Sequence, residues 1–253
     1  FEILGFLNNP NIKVFKNFNS TIMKSTIHSA FQSDQLPENM QRRNFLKFIG
    51  GAASVMAVAA ACKKDNNSNN NNKGIPLGSG DIGILNYAYA LEQLEAAFYV
   101  QVIGSLYSGI SATEQTYLTD IRDHEIAHRE FFKSALGAKA IPALEVDFSS
   151  IDFGSRDSVL GTAKAFEDLG VSAYNGAGHL IKDGNYLLLA GKIVSVEARH
   201  AATIRDMISN GSFADNTVID GNGLDKSRMP AEVLTIASTY LKSKIDASEL
   251  PTS

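Results

Sequence analysis

The sequence predicts an all-α protein: a bundle of four long helices, with a long crossover between helices 2 and 3 and a short C-terminal helix. Three observations carry this prediction. Four stretches of about 24 residues repeat apolar side chains at helical spacing. The links between them run short, long, short. Each stretch also sets one Glu in the middle of its apolar stripe, where a purely structural core would be apolar.

The first pattern follows Gly78-Ser79-Gly80, with Asp81 as the expected N-cap, and runs to about Leu106 before Ser108-Gly109. The second opens on Ser111-Ala112-Thr113-Glu114, a capping-box pattern, and ends near Leu136-Gly137. The third begins around Asp157 or Ser158 and runs to about Lys182, and Asp183-Gly184 makes the next turn. The fourth extends from about Tyr186 to Ser209 and is stopped by Asn210-Gly211. A shorter helix opens at Pro230, a favoured first position, and covers Ala231 to Lys242. The bundle proper is therefore residues 81–210, and 211–253 is a C-terminal segment with one short helix.

The links set the topology. Links 1–2 and 3–4 are short, so each pair is expected as an antiparallel hairpin. Link 2–3, from Gly137 to Asp157, carries Pro142 and a short alternating stretch from Leu144 to Phe148. A helix of about 24 residues is about 36 Å long, and about twenty extended residues reach about 66 Å. The link can run the whole length of the bundle.

The four stripes read Leu85, Ala88, Glu92, Ala96, Tyr99, Ile103; Leu118, Ile121, Glu125, His128, Phe132; Leu160, Ala163, Glu167, Val171, Tyr174; and Ile193, Val194, Glu197, His200, Ile204. A carboxylate in such a place is costly unless it is paired or binds metal. Two stripes carry Glu-x-x-His, at Glu125/His128 and Glu197/His200, and residues three apart share a helix face. With 12 Glu and 5 His in the chain, random placement yields about 0.2 such matches. The halves also repeat: Leu91-Glu92-Gln93-Leu94 through Tyr99 aligns with Phe166-Glu167-Asp168-Leu169 through Tyr174. Counted from the turns at 1.5 Å per residue, the paired ligands fall at nearly one level. A Glu from each of two helices plus Glu-x-x-His from each of two others is the donor set of di-iron and di-manganese carboxylate bundles. Two metal ions, iron or manganese, are the expected cofactors. Tyr99 is the candidate catalytic residue, as a hydrogen-bond donor or redox partner, whereas Tyr174 is expected simply to pack with its hydroxyl satisfied. His124 reads equally as a neighbour of the ligands or an exposed helix residue. Arg129 and Arg199 are expected in surface ion pairs, and His28 and His179 receive no role.

Over residues 81–210 the chain resembles the ferritin-like superfamily, above all exported bacterial ferritin-like domain proteins, with bacterioferritin and rubrerythrin as better-known relatives. The resemblance rests on Leu91-Glu92…Leu94-Glu95-Ala96…Phe98-Tyr99, on both Glu-x-x-His motifs, and on Phe166-Glu167-Asp168-Leu169-Gly170-Val171…Ala173-Tyr174. The Pro230-Ala231-Glu232-Val233-Leu234 segment is similar to the tail of the exported family. The resemblance implies that Glu125 and Glu197 bridge the metals, that Glu92 and Glu167 are terminal ligands, and that His128 and His200 bind one metal each. Glu95 rivals Glu92, but its repeat partner is Gly170, so symmetry favours Glu92. The implied activity is oxidation of ferrous iron or reduction of peroxide or dioxygen. Plant desiccation-related proteins resemble the same domain, so a non-enzymatic stress or structural surface protein is the alternative.

Ahead of the bundle the sequence carries an address. Arg42-Arg43-Asn44-Phe45-Leu46-Lys47 precedes an apolar run from Phe48 to Ala61, which has the form of a twin-arginine signal peptide. Val58-Ala59-Ala60-Ala61-Cys62 resembles a lipoprotein processing site, with Cys62 as the acylated residue, although Ala stands where Leu is commoner. The signal spans 40–62, and an Asn-rich spacer of 63–80, too polar to bury a core, follows it. Residues 1–39 are set aside as an extension of uncertain status, with Met40 and Met23 as candidate starts. These features imply an exported protein of the periplasm or cell envelope, attached to a membrane through Cys62. A homodimer is allowed; a closed ferritin cage is not expected, because an acylated tether conflicts with a symmetric shell.

Composition excludes other classes. A net charge of −4 with no basic run gives nothing for nucleic acid to bind. A single Cys excludes an intramolecular disulfide.

Overall fold

The computed structural model describes residues 74–253; Arg42, Arg43, Cys62 and the Asn tract lie outside the described residues. The described chain is all-α, with helices α1 (Gly80–Gly104), α2 (Ala112–Leu136), α3 (Arg156–Ala177), α4 (Gly184–Ile208) and the short α5 (Pro230–Ala237). Two-residue strands β1 (Ile75–Pro76) and β2 (Ile245–Asp246) pair in parallel. Among the described residues no helix is long and apolar enough to cross a membrane.

Local chemistry sets the helix ends. Ser111 and Glu114 form the complete capping box of α2, each side chain bonded to the other's backbone N–H at 3.0–3.1 Å. Asp183 caps α4 by accepting from the Asn185 amide at 2.8 Å. The start of α1 differs from expectation. Gly80, at φ +56°, turns the chain into the helix early, and Ser79 takes the N-cap position. Asp81 instead lies in the first turn, where its carboxylate accepts the amides of Lys182 and Asp183, each at 2.8 Å. It ties the head of α1 to the α3–α4 turn.

Three further expectations need correction. The third helix stops at Ala177 rather than Lys182, because the chain tightens into a 3-10 turn over Gly178–Leu180 that buries Leu180. The fifth stops at Ala237 rather than Lys242, since the amides of Lys242 and Ser243 are taken by the Glu145 carbonyl of the crossover. Residues 74–79, assigned to the spacer, are tied down: Ile75 N bonds Lys244 O at 2.7 Å, Leu77 N bonds Asp246 O at 3.0 Å, and Leu77 is 1% exposed.

The topology follows from which side chains meet. Glu92 of α1 meets Tyr174 of α3, and Tyr99 of α1 meets Glu167 of α3. Rising numbers on one helix face falling numbers on the other, so α1 and α3 are antiparallel. The short link makes α2 antiparallel to α1, and hence parallel to α3. The segment between α2 and α3 must therefore traverse the bundle, as the sequence predicts. Residues of α1 fasten it there. The Asn86 side chain donates to Leu77 O and Lys139 O and accepts from Ile141 N, each at 3.0 Å. One face further along, Gln93 Oε1 accepts from Leu144 N at 2.9 Å. With the crossover on that side, α1 is buried nearly all round, consistent with its apolar composition on every face. Phe98, Phe148, Phe153 and Phe166 fill the space between α1, the crossover and α3.

Candidate metal centre

At mid-height the four stripes deliver their carboxylates to one point. Glu92, Glu125, Glu167 and Glu197 are each 0% exposed and His200 is 4% exposed; the His128 side chain is 13% exposed. These six side chains form two overlapping groups. One is Glu92, Glu125, His128 and Glu197; the other is Glu125, Glu167, Glu197 and His200. Within each group, one donor atom per residue lies within 4.8 Å of all the others. Glu125 and Glu197 belong to both groups.

The hydrogen bonding separates the four carboxylates into two kinds. Glu167 Oε1 accepts the Tyr99 hydroxyl at 2.5 Å, and Glu92 Oε1 accepts the Tyr174 hydroxyl. The other oxygen of each, Oε2, has no hydrogen-bond partner. Glu125 and Glu197 have neither oxygen bonded, and Nδ1 of both His128 and His200 is unbonded too. His128 Nδ1 stands 2.9 Å from Glu197 Oε1, and His200 Nδ1 stands 2.8 Å from Glu125 Oε1. Neither contact has hydrogen-bond geometry, so eight inward-facing donor atoms are left unsatisfied. Buried polar groups are rarely orphaned even singly. Eight aimed at one another fit a pair of cations, and the mix of carboxylate oxygen and imidazole nitrogen, without thiolate, suits iron or manganese.

Charge repulsion and burial shape the site's protonation. Burial pushes Glu92 up to about 7 against the pull of neighbouring His128. Burial, and then the surrounding carboxylates, hold Glu197 and Glu95 well above the ordinary carboxylate range. Glu125 goes the other way: burial raises it, but the two histidines beside it bring it down to about 2. Burial opposes the charge on His200, yet Glu125 and Glu167 raise it to about 10; His128 is raised in the same manner. Without metal, protons balance the carboxylates.

Four residues stand differently from their sequence expectations or beyond them. Tyr174 does not merely pack; its hydroxyl holds Glu92 as Tyr99 holds Glu167, so the repeat of Glu and Tyr seven apart is a pair of crossed hydrogen bonds. Glu95 is buried beside the cluster, and Gly170 makes its room: a Cβ at 170 would sit 3.0 Å from Glu95 Oε1 and 3.6 Å from Glu197 Oε2. The Glu95–Gly170 mismatch between the halves was the signal of that close approach. His124 is both exposed and in contact with the cluster, its Nδ1 2.9 Å from His200 Nε2. Arg129 pairs with Glu130 on the surface, as expected, whereas Arg199 bonds Ser195 instead of an acid.

Two antiparallel helix hairpins around a buried, two-fold-repeated carboxylate–histidine cluster define a four-helix bundle whose core side chains are compatible with metal binding. A model of the ferritin-like domain family matches residues 80–210, from the first residue of α1 to just past α4. The chain belongs to this ferritin-like family. Comparison with curated proteins returns no match.

Proposed function

We propose that the bundle binds two divalent ions, iron or manganese, and that the loaded protein oxidises ferrous iron or reduces peroxide or dioxygen. The observation that carries this reading is the set of eight unsatisfied donor atoms. Glu125 and Glu197, with neither oxygen hydrogen-bonded and a place in both groups, are the residues that would hold both ions. Glu92 and His128 would complete the hold on one ion, and Glu167 and His200 on the other. When bound, such an ion pair supplies redox chemistry toward dioxygen or peroxide that side chains alone lack.

The chain's own residues bind, orient and exclude water. Tyr99 and Tyr174 each occupy one carboxylate oxygen and leave the other to face inward. The tyrosine hydroxyls keep their protons, since burial and then the neighbouring Glu167 or Glu92 raise them well above the ordinary phenol range. Tyr99 is the residue to which we assign the catalytic role, as hydrogen-bond donor or redox partner on the Glu167 side. Leu118, Ile121, Leu160 and Ile204, one or two helical turns from the acids on the same stripes, are buried in the core and exclude bulk water.

The test loads the bundle with ferrous iron under anaerobic conditions and follows oxidation on adding dioxygen or peroxide. The proposal expects metal uptake and turnover that Glu125→Ala abolishes. Uptake without turnover favours the non-enzymatic stress-protein alternative; absence of uptake contradicts the metal reading. We also propose that the bundle works outside the cytoplasm on a lipid tether, on the sequence of Arg42-Arg43 and Cys62 alone. Fatty-acid labelling that survives Cys62→Ser would refute the tether.

A further inference from the structure

The two halves of the cluster repeat each other closely except where Glu95 of one half matches Gly170 of the other, and again at their outer edge. His200 directs Nδ1 inward and Nε2 outward, and the outward nitrogen stands 2.9 Å from Nδ1 of His124, the two rings lying within 10° of parallel. His128 directs Nδ1 inward in the same way. The register that aligns Glu125 with Glu197 and His128 with His200 aligns His124 with Val196. An isopropyl group cannot hydrogen-bond, so the position that serves His200 in one half offers His128 nothing equivalent in the other. This outer asymmetry sits on α2 and α4, the two elements that carry the ligand histidines.

We propose that His124 is a positioning residue for the His200 half alone, and that it makes the two metal positions unequal, with the one formed by Glu125, Glu167, Glu197 and His200 binding more tightly. The inference rests on the two-metal reading above. With His200 Nδ1 on a metal, its Nε2 carries the hydrogen and donates to His124 Nδ1. That bond fixes the tautomer, locks the ring's rotation and makes the inner nitrogen a better donor. The ring of His128 lacks this restraint and must be ordered by the metal itself. Loss of an outer partner of this kind costs about 10–100-fold in metal affinity. The two positions are therefore expected to differ by about 10–100-fold, and to fill in order.

The test titrates the metal-free full chain with Co(II), used as a spectroscopic stand-in for the native ion. Absorption and calorimetry read the two steps, and hyperfine-shifted imidazole N–H resonances read the rings. Wild type is expected to fill in two steps, with the first-filled histidine showing a slowly exchanging outer N–H. His124→Ala weakens only the tighter step, brings the two affinities together and removes that resonance. His124→Gln, which keeps an acceptor, restores part of the gap. Val196→His, which offers His128 a partner, strengthens the weaker step. The proposal is overturned if His124→Ala leaves both steps unchanged or weakens both equally. Equal steps in the wild type overturn it while leaving the two-metal reading intact. A wild type that takes up no Co(II) overturns both.

Discussion

Raising the pH should tighten metal binding, by an amount that follows from the protons the cluster holds when empty. Metal ligands must be deprotonated, so every proton displaced on binding makes affinity rise about tenfold per pH unit while that proton is still bound in the free protein. His200, raised to about 10, carries its proton throughout pH 6–8. It alone contributes about 100-fold over that interval. Glu92, pushed up to about 7, is mostly protonated at pH 6 and mostly ionised at pH 8. It contributes about another tenfold. The elevated His128 and Glu197 add to this, so affinity should rise at least about 10³-fold from pH 6 to pH 8. Calorimetric titration with Mn(II) in two buffers of different ionisation enthalpy reads both the affinity and the number of protons released. An affinity flat across this range, with no proton release, would refute the assignment of these side chains as ligands.

Other outcomes follow from the same geometry. The metal-free protein should lose stability as pH rises: Glu92 and His200 have folded values above their ordinary 4.5 and 6.5, so their contribution is complete below those values and lost through about 7 and about 10. Urea titrations at pH 5, 7 and 9 should give a falling midpoint, and bound Mn(II) should reverse the fall. Tyr99→Phe strands the buried Glu167 Oε1 and should cost about 1–3 kcal/mol, read by denaturant unfolding; no loss would mean that the bond is not formed. Gly176→Ala and Gly161→Ala should differ in sign although both lie in α3. A Cβ at 176 would sit 1.7 Å from Arg228 O, forcing apart the bond from Arg228 N to Ser172 O, whereas nothing lies within 4 Å at 161. We expect a loss of more than about 2 kcal/mol at the first and a gain approaching about 1 kcal/mol at the second, both by thermal unfolding.

What could be read from the sequence is what periodicity encodes. A stripe of apolar residues interrupted by Glu92, Glu125, Glu167 and Glu197 fixes the helices and their inward faces together, since a carboxylate at core spacing has few physical explanations. Short links against a twenty-residue one then restrict the topology. What escaped were contacts that depend on the third dimension alone. Asn86 and Gln93 look like ordinary polar helix residues until the crossover backbone is laid against them. Residues 74–79 are too short to announce a strand, and they are held by pairing with β2 and by Asn86, which donates to Leu77 O. Tyr174 sits on the predicted stripe, but its bond to Glu92 requires α1 and α3 to be antiparallel at matched height. His124 stands at the edge of the stripe, three residues after Ile121 and four before His128, so spacing alone does not separate a partner of the cluster from an exposed helix residue.

The most direct test of the central claim is anomalous diffraction from crystals of the bundle soaked with manganese. Two peaks per chain are predicted at mid-height, one flanked by Glu92 and His128 and the other by Glu167 and His200, with Glu125 and Glu197 touching both. In Glu197→Ala crystals both peaks should weaken. A map with no peak among these residues, or with manganese only at surface acids, would contradict the account.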